Sequence, residues 1–120
     1  MIRSFVAVLL AALVAAPVSA QEVASAPGGE VRVLDKLNGE ITDITLVDGV
    51  PQEVGLLLVS MQDCRYPVSN PTGDAYAALT VNYANDEVPV FQGWMIATAP
   101  ALNAMDHPRY DVWVLRCTTS

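Results

Sequence analysis

A chain of 120 residues with 52% hydrophobic side chains is long enough to pack one domain and short for two. Its acidic residues number 13 against 6 basic ones, a formal charge of −7 with no local basic cluster. A surface of that sign repels phosphate backbones and anionic headgroups, which argues against nucleic acid and acidic membrane as partners.

At the N-terminus Arg3 precedes an apolar run over residues 5–16, followed by Pro17 and the small residues Val18, Ser19 and Ala20. That is the order of a secretory signal peptide cleaved after Ala20. The run is well short of the ~20 residues a membrane-crossing helix needs, and Pro17 would break a helix continuing through it. A buried N-terminal helix would need a polar stripe toward water, which residues 6–16 lack. Residues 1–20 are therefore expected to be a signal peptide, removed on export to leave a periplasmic or secreted protein with no membrane anchor. No cysteine stands at the cleavage point to accept a lipid.

Residues 21–30 are rich in Ala, Ser, Pro and Gly and read as a flexible arm. From residue 31 onward, β-branched and apolar runs alternate with turn residues, and no stretch keeps a helical period. Residues 31–36 and 42–47 flank the pair Asn38-Gly39, the signature of a type I′ hairpin. Asp48, Gly49 and Pro51 end the second strand. A third strand over 55–64 places Leu57, Val59 and Met61 on one face and Leu56, Leu58 and Cys64 on the other, which suits a central strand.

Residues 65–74 hold Pro67, Ser69, Asn70, Pro71 and Gly73, a loop of the kind that often carries function. A half-buried strand over 75–84 turns Leu79, Val81 and Tyr83 to one face. After a turn at 85–87 comes a strand over 88–98, in which Gly93 marks a bulge or a close approach. Pro100 opens a short helical turn over 100–105 and Pro108 stops it. The last strand, 110–117, is expected to point Asp111, Trp113, Leu115 and Cys117 inward and Val112 and Val114 to the other face. About six strands and one helical turn, in a single domain over 31–120, make an all-β sandwich or a partly open barrel.

Cys64 and Cys117 are the only cysteines, and in an oxidising compartment they would pair. The chain-entropy model values that bridge at about 4 kcal/mol, a large share of a small domain's ~5–15 kcal/mol. The alternative is a metal site using both thiolates with His107 and a carboxylate, which lacks the close ligand spacing of zinc motifs. The chain has no glycosidase carboxylate pair, phosphate-cradling glycine loop or nucleotide motif, and no cofactor is expected.

The densest segment is 93–117, GWMIATAPALNAMDHPRYDVWVLRC, with Trp94, Thr98, Asn103, His107, Tyr110, Asp111 and Trp113 as its functional or structural cluster. Any enzyme reading passes through His107, with Thr98, Ser60 or Ser69 as the hydroxyl, and none of these stands in a G-x-S-x-G elbow. The structural reading has Asp106, His107 and Pro108 closing the helical turn, with the imidazole at its carbonyl end. An inward Asp111 needs donors, which Thr98 or the backbone of the Pro100 turn would supply. Trp94 and Trp113 either pack in the core, one of them on the disulfide, or line a sugar-binding platform.

Segment 93–117, the string VRVLDKLNGE at 31–40 and the cysteine pair resemble a family of short exported proteins of Gram-negative bacteria known only as a domain of unknown function. The resemblance covers 31–117 and is strongest in GWM at 93–95, PALN at 100–103, His107-Pro108, YDVW at 110–113 and Cys117. Where that family has a Phe after GWM and two serines before the proline, this chain has Ile96, Thr98 and Ala99, which removes a serine nucleophile from that place. The resemblance implies an exported, cysteine-bridged domain and no activity. Three readings of function follow. The first is a non-catalytic envelope domain acting on a protein partner. The second is a module for a small ligand or cell-wall glycan, using loop 65–74 and an exposed tryptophan. The third is a small hydrolase built on His107.

Overall fold

A computed structural model describes residues 21–119, so the signal-peptide segment 1–20 lies outside the described residues. The chain forms β1 Val23–Ala26, β2 Gly28–Asp35, β3 Glu40–Val47 and β4 Gln52–Val54, then β5 Leu57–Pro67, β6 Tyr76–Tyr83, β7 Phe91–Ile96 and β8 Tyr110–Cys117. A single 3-10 turn, Pro100–Asn103, stands between β7 and β8. Every ladder is antiparallel. One sheet runs β1-β5-β6-β7, with β4 also on β5, and the other runs β3-β2-β8. The sheets face each other over Val31 and Val33 of β2, Val59 and Met61 of β5, Leu79 and Val81 of β6, and Val112 and Val114 of β8. The all-β class, the helical turn and the cysteine bridge are as the sequence leads one to expect.

The two sheets share one corner. β1 belongs to the first and β2 to the second, with only Pro27 between them. The chain turns there on Gly28 and Gly29. A Cβ at residue 28 would run into the Leu46 carbonyl, and one at residue 29 would lie 2.8 Å from the Arg116 oxygen and 3.1 Å from Cys64 Sγ. Only glycine fits so close an approach of backbone to backbone. Cys64 and Cys117 are bonded across this corner with Cα atoms 5.7 Å apart, beside the pairs Ala26–Cys64 and Gly29–Cys117. The small residues of 21–30, expected as a flexible arm, instead form β1 and the start of β2; their size serves the corner.

The hairpin also differs in detail. β2 and β3 pair down to Asp35 and Glu40, leaving a four-residue loop, 36–39, in which Gly39 alone has positive φ, at 76°. The Gly39 N–H donates to the Asp35 carbonyl, while the side chains of Asp35 and Asn38 accept the N–H of Leu37 and Glu40. Those local bonds replace the type I′ geometry expected of Asn38-Gly39.

Two bulges decide which way the central strands face. In β5 the register slips between Met61 and Asp63, so Cys64 points inward with Leu57, Val59 and Met61, and Leu56 and Leu58 face solvent. In the β2–β8 ladder Glu30 pairs with Arg116 but Val31 pairs with Val114, which leaves Leu115 unpaired. Tyr110, Val112 and Val114 are therefore buried on the same side as Cys117, and Asp111 and Trp113 lie outside the core. That reverses the facing expected for β8, because alternation counted back from Cys117 crosses the extra residue. β7 is shorter than the expected 88–98 and has no bulge, and Gly93 is a close approach, its would-be Cβ 3.1 Å from Asn103 Nδ2.

After β3, Asp48 Oδ1 is buried without a hydrogen-bond partner. Desolvation, and then the neighbouring Asp63 carboxylate, push the Asp48 carboxyl above its ordinary pKa.

Two outcomes follow. Replacing both cysteines (Cys64→Ser with Cys117→Ser) is expected to cost about 4 kcal/mol in urea denaturation. A carboxyl whose pKa rises on folding holds its proton more tightly when folded, so its charge opposes folding at neutral pH and the penalty relaxes as pH falls through the folded-state pKa. Asp48→Asn is thus expected to raise Tm near pH 7 and to leave it unchanged in acid below the ordinary carboxylate range, checked by thermal melts across that interval.

Candidate binding groove

The sequence-predicted residues fall into three places. Tyr110 and His107 go inside. Tyr110 is buried and its hydroxyl accepts the Leu56 N–H at 3.1 Å. His107, 9% exposed, lies with its ring centroid 4.6 Å from that of Tyr83 and 6.0 Å from that of Tyr110. Its Nδ1 accepts the N–H of both Arg109 and Tyr110 at 3.1 Å, which places the ring proton on Nε2. Its carbonyl accepts Lys36 Nζ at 2.6 Å. The expected place of His107 at the carbonyl end of the helical turn is thus not what the structure shows; it stands ahead of β8 and holds the N–H groups that lead into that strand. Beside it Arg109 grips Asp35 through two nitrogens at 3.1 and 3.3 Å, and that hydrogen-bonded guanidinium draws the Asp35 carboxyl below its usual range.

Thr98 and Asn103 are anchors. The Thr98 N–H and Oγ1 donate to Asp74 at 3.1 and 2.9 Å, and Asp74 also takes the Ala75 N–H. The expected acceptor for Thr98 was Asp111. Asp74 at the end of loop 65–74 holds that place instead, because Asp111 lies on the outer face of β8. Asn103 Nδ2 donates to the Trp94 carbonyl at 2.7 Å, in the space left by Gly93. These bonds tie the chain just ahead of the 3-10 turn to the segment leading into β6, and the end of the turn to β7.

The anchored turn stands off β8 by a groove of about 320 Å³, lined by Pro100, Ala101, Ala104, Asp111, Val112 and Trp113. Neither tryptophan is in the core. Trp113 forms a wall of the groove, and Trp94, 41% exposed, lies on the outer face of the other sheet with the Arg65 guanidinium 4.9 Å over its ring. The expectation that one of them packs on the disulfide fails: the bulge at Leu115 turns Trp113 outward, and in β7 it is Met95, not Trp94, that faces the core.

Asp111 is the one charged residue of the groove, and among the described residues its carboxylate makes no hydrogen bond or ion pair. The basic residues of 21–119 are engaged elsewhere: Arg32 with Asp43, Arg65 with Asp63, Arg109 with Asp35, Arg116 with Glu30, and Lys36 with the His107 carbonyl. Both sulfurs are bonded to each other, so the thiolate metal site has no ligands to offer. Sequence reasoning passed over Pro100, Ala101 and Ala104 as groove walls, since small residues at a turn carry no signal. Asp74, just before a strand, had one: a short acidic side chain there favours bonds to nearby backbone N–H groups.

Two antiparallel sheets tied by one disulfide, with a lateral groove between a helical turn and an edge strand, define a small β-domain of the two-sheet class. Within that class the chain belongs to the family described as an uncharacterized protein conserved in bacteria (DUF2155), which matches residues 29–117. It is similar to the uncharacterized protein RP359 of Rickettsia prowazekii (strain Madrid E), with 27% identity over 92 residues. That match covers 74% of this chain and 59% of the relative's length. No solved structure matches the chain.

His107→Ala leaves two backbone donors without their acceptor and is expected to cost about 1–3 kcal/mol in urea denaturation. His107→Asn, whose Oδ1 can stand where Nδ1 does, is expected to recover most of that loss.

Proposed function

We propose that this is an exported, non-catalytic domain of the bacterial cell envelope that acts by docking a partner protein in the groove between the Pro100–Asn103 turn and β8. The observation that carries the reading is the Asp111 carboxylate, set without a partner among the apolar walls Trp113, Pro100, Ala101 and Ala104. An apolar cleft with one oriented polar group is the common form of a recognition site, and its volume is at the lower end of the ~300–1,000 Å³ range for ligand sites. Export is supported by the residue order of 1–20 and by a disulfide that persists in an oxidising compartment. The non-catalytic reading is supported by His107, whose Nδ1 holds two backbone N–H groups, and by Thr98, whose hydroxyl is bonded to Asp74.

A photo-crosslinking residue placed at Ala101 in living cells is expected to capture one dominant protein partner. That adduct should disappear with Asp111→Arg and should be absent when the probe sits at Thr45, on the outer face of β3. Equal capture at both positions, or none at Ala101, overturns the proposal.

A second reading rests on the opposite sheet. Trp94 projects from β7 in a row beside Gln92, with Thr80 of β6 across from Gln92, and Thr80 hydrogen-bonded to Gln62 of β5. A part-exposed indole with Arg65 over its ring and a row of amides and hydroxyls alongside suits the apolar face and hydroxyl rim of a pyranose, as in a cell-wall glycan. Soluble glycan fragments are expected to shift tryptophan fluorescence in the native protein and not in Trp94→Phe; unmoved fluorescence removes this reading.

A further inference from the structure

Twice, among the described residues, an arginine of the chain lies over an aromatic ring while its N–H groups bond a carboxylate. The Arg65 guanidinium is 4.9 Å over the Trp94 ring, and its Nε donates to Asp63 Oδ2 at 2.7 Å. Asp63 and Trp94 stand in one row of the sheet with only Ala78 between them, a side chain small enough to leave the guanidinium its place. The Arg109 guanidinium is 5.1 Å over the Tyr110 ring and grips Asp35, the residue paired with Tyr110 across the ladder. A guanidinium bonds a carboxylate through its edge and covers a ring with its face, so one cation serves both groups at once.

The groove carries a third carboxylate and ring, and no arginine of the described residues meets them. Asp111 and Trp113 are two residues apart on the outer face of β8, roughly 6.6 Å along the strand, within the span of one guanidinium and its contacts. The cation best placed to reach them is Arg32, which is paired with Trp113 in the β2–β8 ladder. Its Nε and Nη2 are both held by Asp43 at 2.8 and 2.9 Å, on β3 at the far side of β2. The remaining walls, Pro100, Ala101 and Ala104, are apolar and suit the methylene stem of a long side chain. A volume of about 320 Å³, at the low end for ligand sites, takes one such side chain and not a folded element.

Building on the protein-docking reading above, we infer that the partner inserts an arginine side chain into the groove, its guanidinium edge on the Asp111 carboxylate, its face on the Trp113 indole and its stem along Pro100, Ala101 and Ala104. Apolar walls alone would admit any aliphatic side chain. The carboxylate selects a cation, and the indole selects a planar one over the compact ammonium of lysine. An arginine seated in a pocket is among the anchors that carry most of the binding energy at protein interfaces.

The test titrates N-acetyl-arginine methylamide, and its lysine and citrulline counterparts, into the intact folded protein through the millimolar range. The readout is the NMR signal of each tryptophan indole N–H, assigned with Trp113→Phe and Trp94→Phe. Citrulline keeps the length and planar head of arginine without its charge. The arginine compound is expected to shift the Trp113 indole and to leave that of Trp94, already covered by Arg65, in place. The citrulline compound is expected to bind about tenfold more weakly, as loss of a charge-assisted bond does, with the lysine compound between the two. Asp111→Asn is expected to bring the arginine compound down to the citrulline level, the unmoved Trp94 signal reporting that the variant is folded. An arginine compound that binds no tighter than either counterpart, or that shifts Trp94 as much as Trp113, overturns the inference. No shift with any compound, while the cross-linker at Ala101 still captures its partner, overturns the arginine and leaves the docking reading standing. Silence of both the indole and the cross-linker overturns the two together.

Discussion

The covalent tie between β5 and β8 is the constraint on which the rest of the architecture depends. It sits where the chain crosses from one sheet to the other, and the crossing requires Gly28 and Gly29 because a Cβ there would meet backbone on the far side. Both cysteines must point between the sheets to meet. Each of their strands carries one extra residue that lets them do so, near Gln62 in β5 and at Leu115 in β8. The bulge at Leu115 does more than seat Cys117. It sets the phase of residues 110–114, sending Tyr110, Val112 and Val114 into the core and leaving Asp111 and Trp113 to line the groove. The chemistry of the outer face is thus set by the geometry of the bridge.

The connection between β7 and β8 is held by polar bonds of a kind that a surface loop needs, since its backbone groups have no ladder. Asp74 takes the start of it through Thr98, Asn103 folds the 3-10 turn onto β7, and His107 collects the backbone N–H groups where β8 begins. Lys36 and the Arg109–Asp35 pair attach the same region to β2 and its hairpin loop. The two walls of the groove are consequently fixed by different sheets. That gives the space between them a defined width.

Electrostatics gives the groove its sign. With few cations in the chain and each of those in the described residues tied to an internal partner, the surplus negative charge of the surface has nothing within the domain to meet it. A single carboxylate against an indole wall is a distinctive feature of such a surface. The match to the DUF2155 family, over residues 29–117, takes in both cysteines, the anchors and the groove.

The sequence by itself determined the all-β class, the pairing of its two cysteines, the turn opened by Pro100 and the inward face of β6. Each of these depends on a local period or on an inventory of residues, which a linear reading contains. Only the tertiary structure decided the facing of β8, the outward tryptophans, the choice of Asp74 over Asp111 as the acceptor for Thr98, and the backbone role of His107. A bulge is an extra residue measured against a partner strand, so one strand read alone does not reveal it, and every face beyond it is inverted. The composition of 21–30 is ambiguous in the same way, since small residues suit a loose arm and a tight corner equally until the opposing backbone is in place. A hydrogen bond between residues 74 and 98 is likewise decided by which carboxylate the two sheets carry to the donor, a distance in space that sequence separation does not encode.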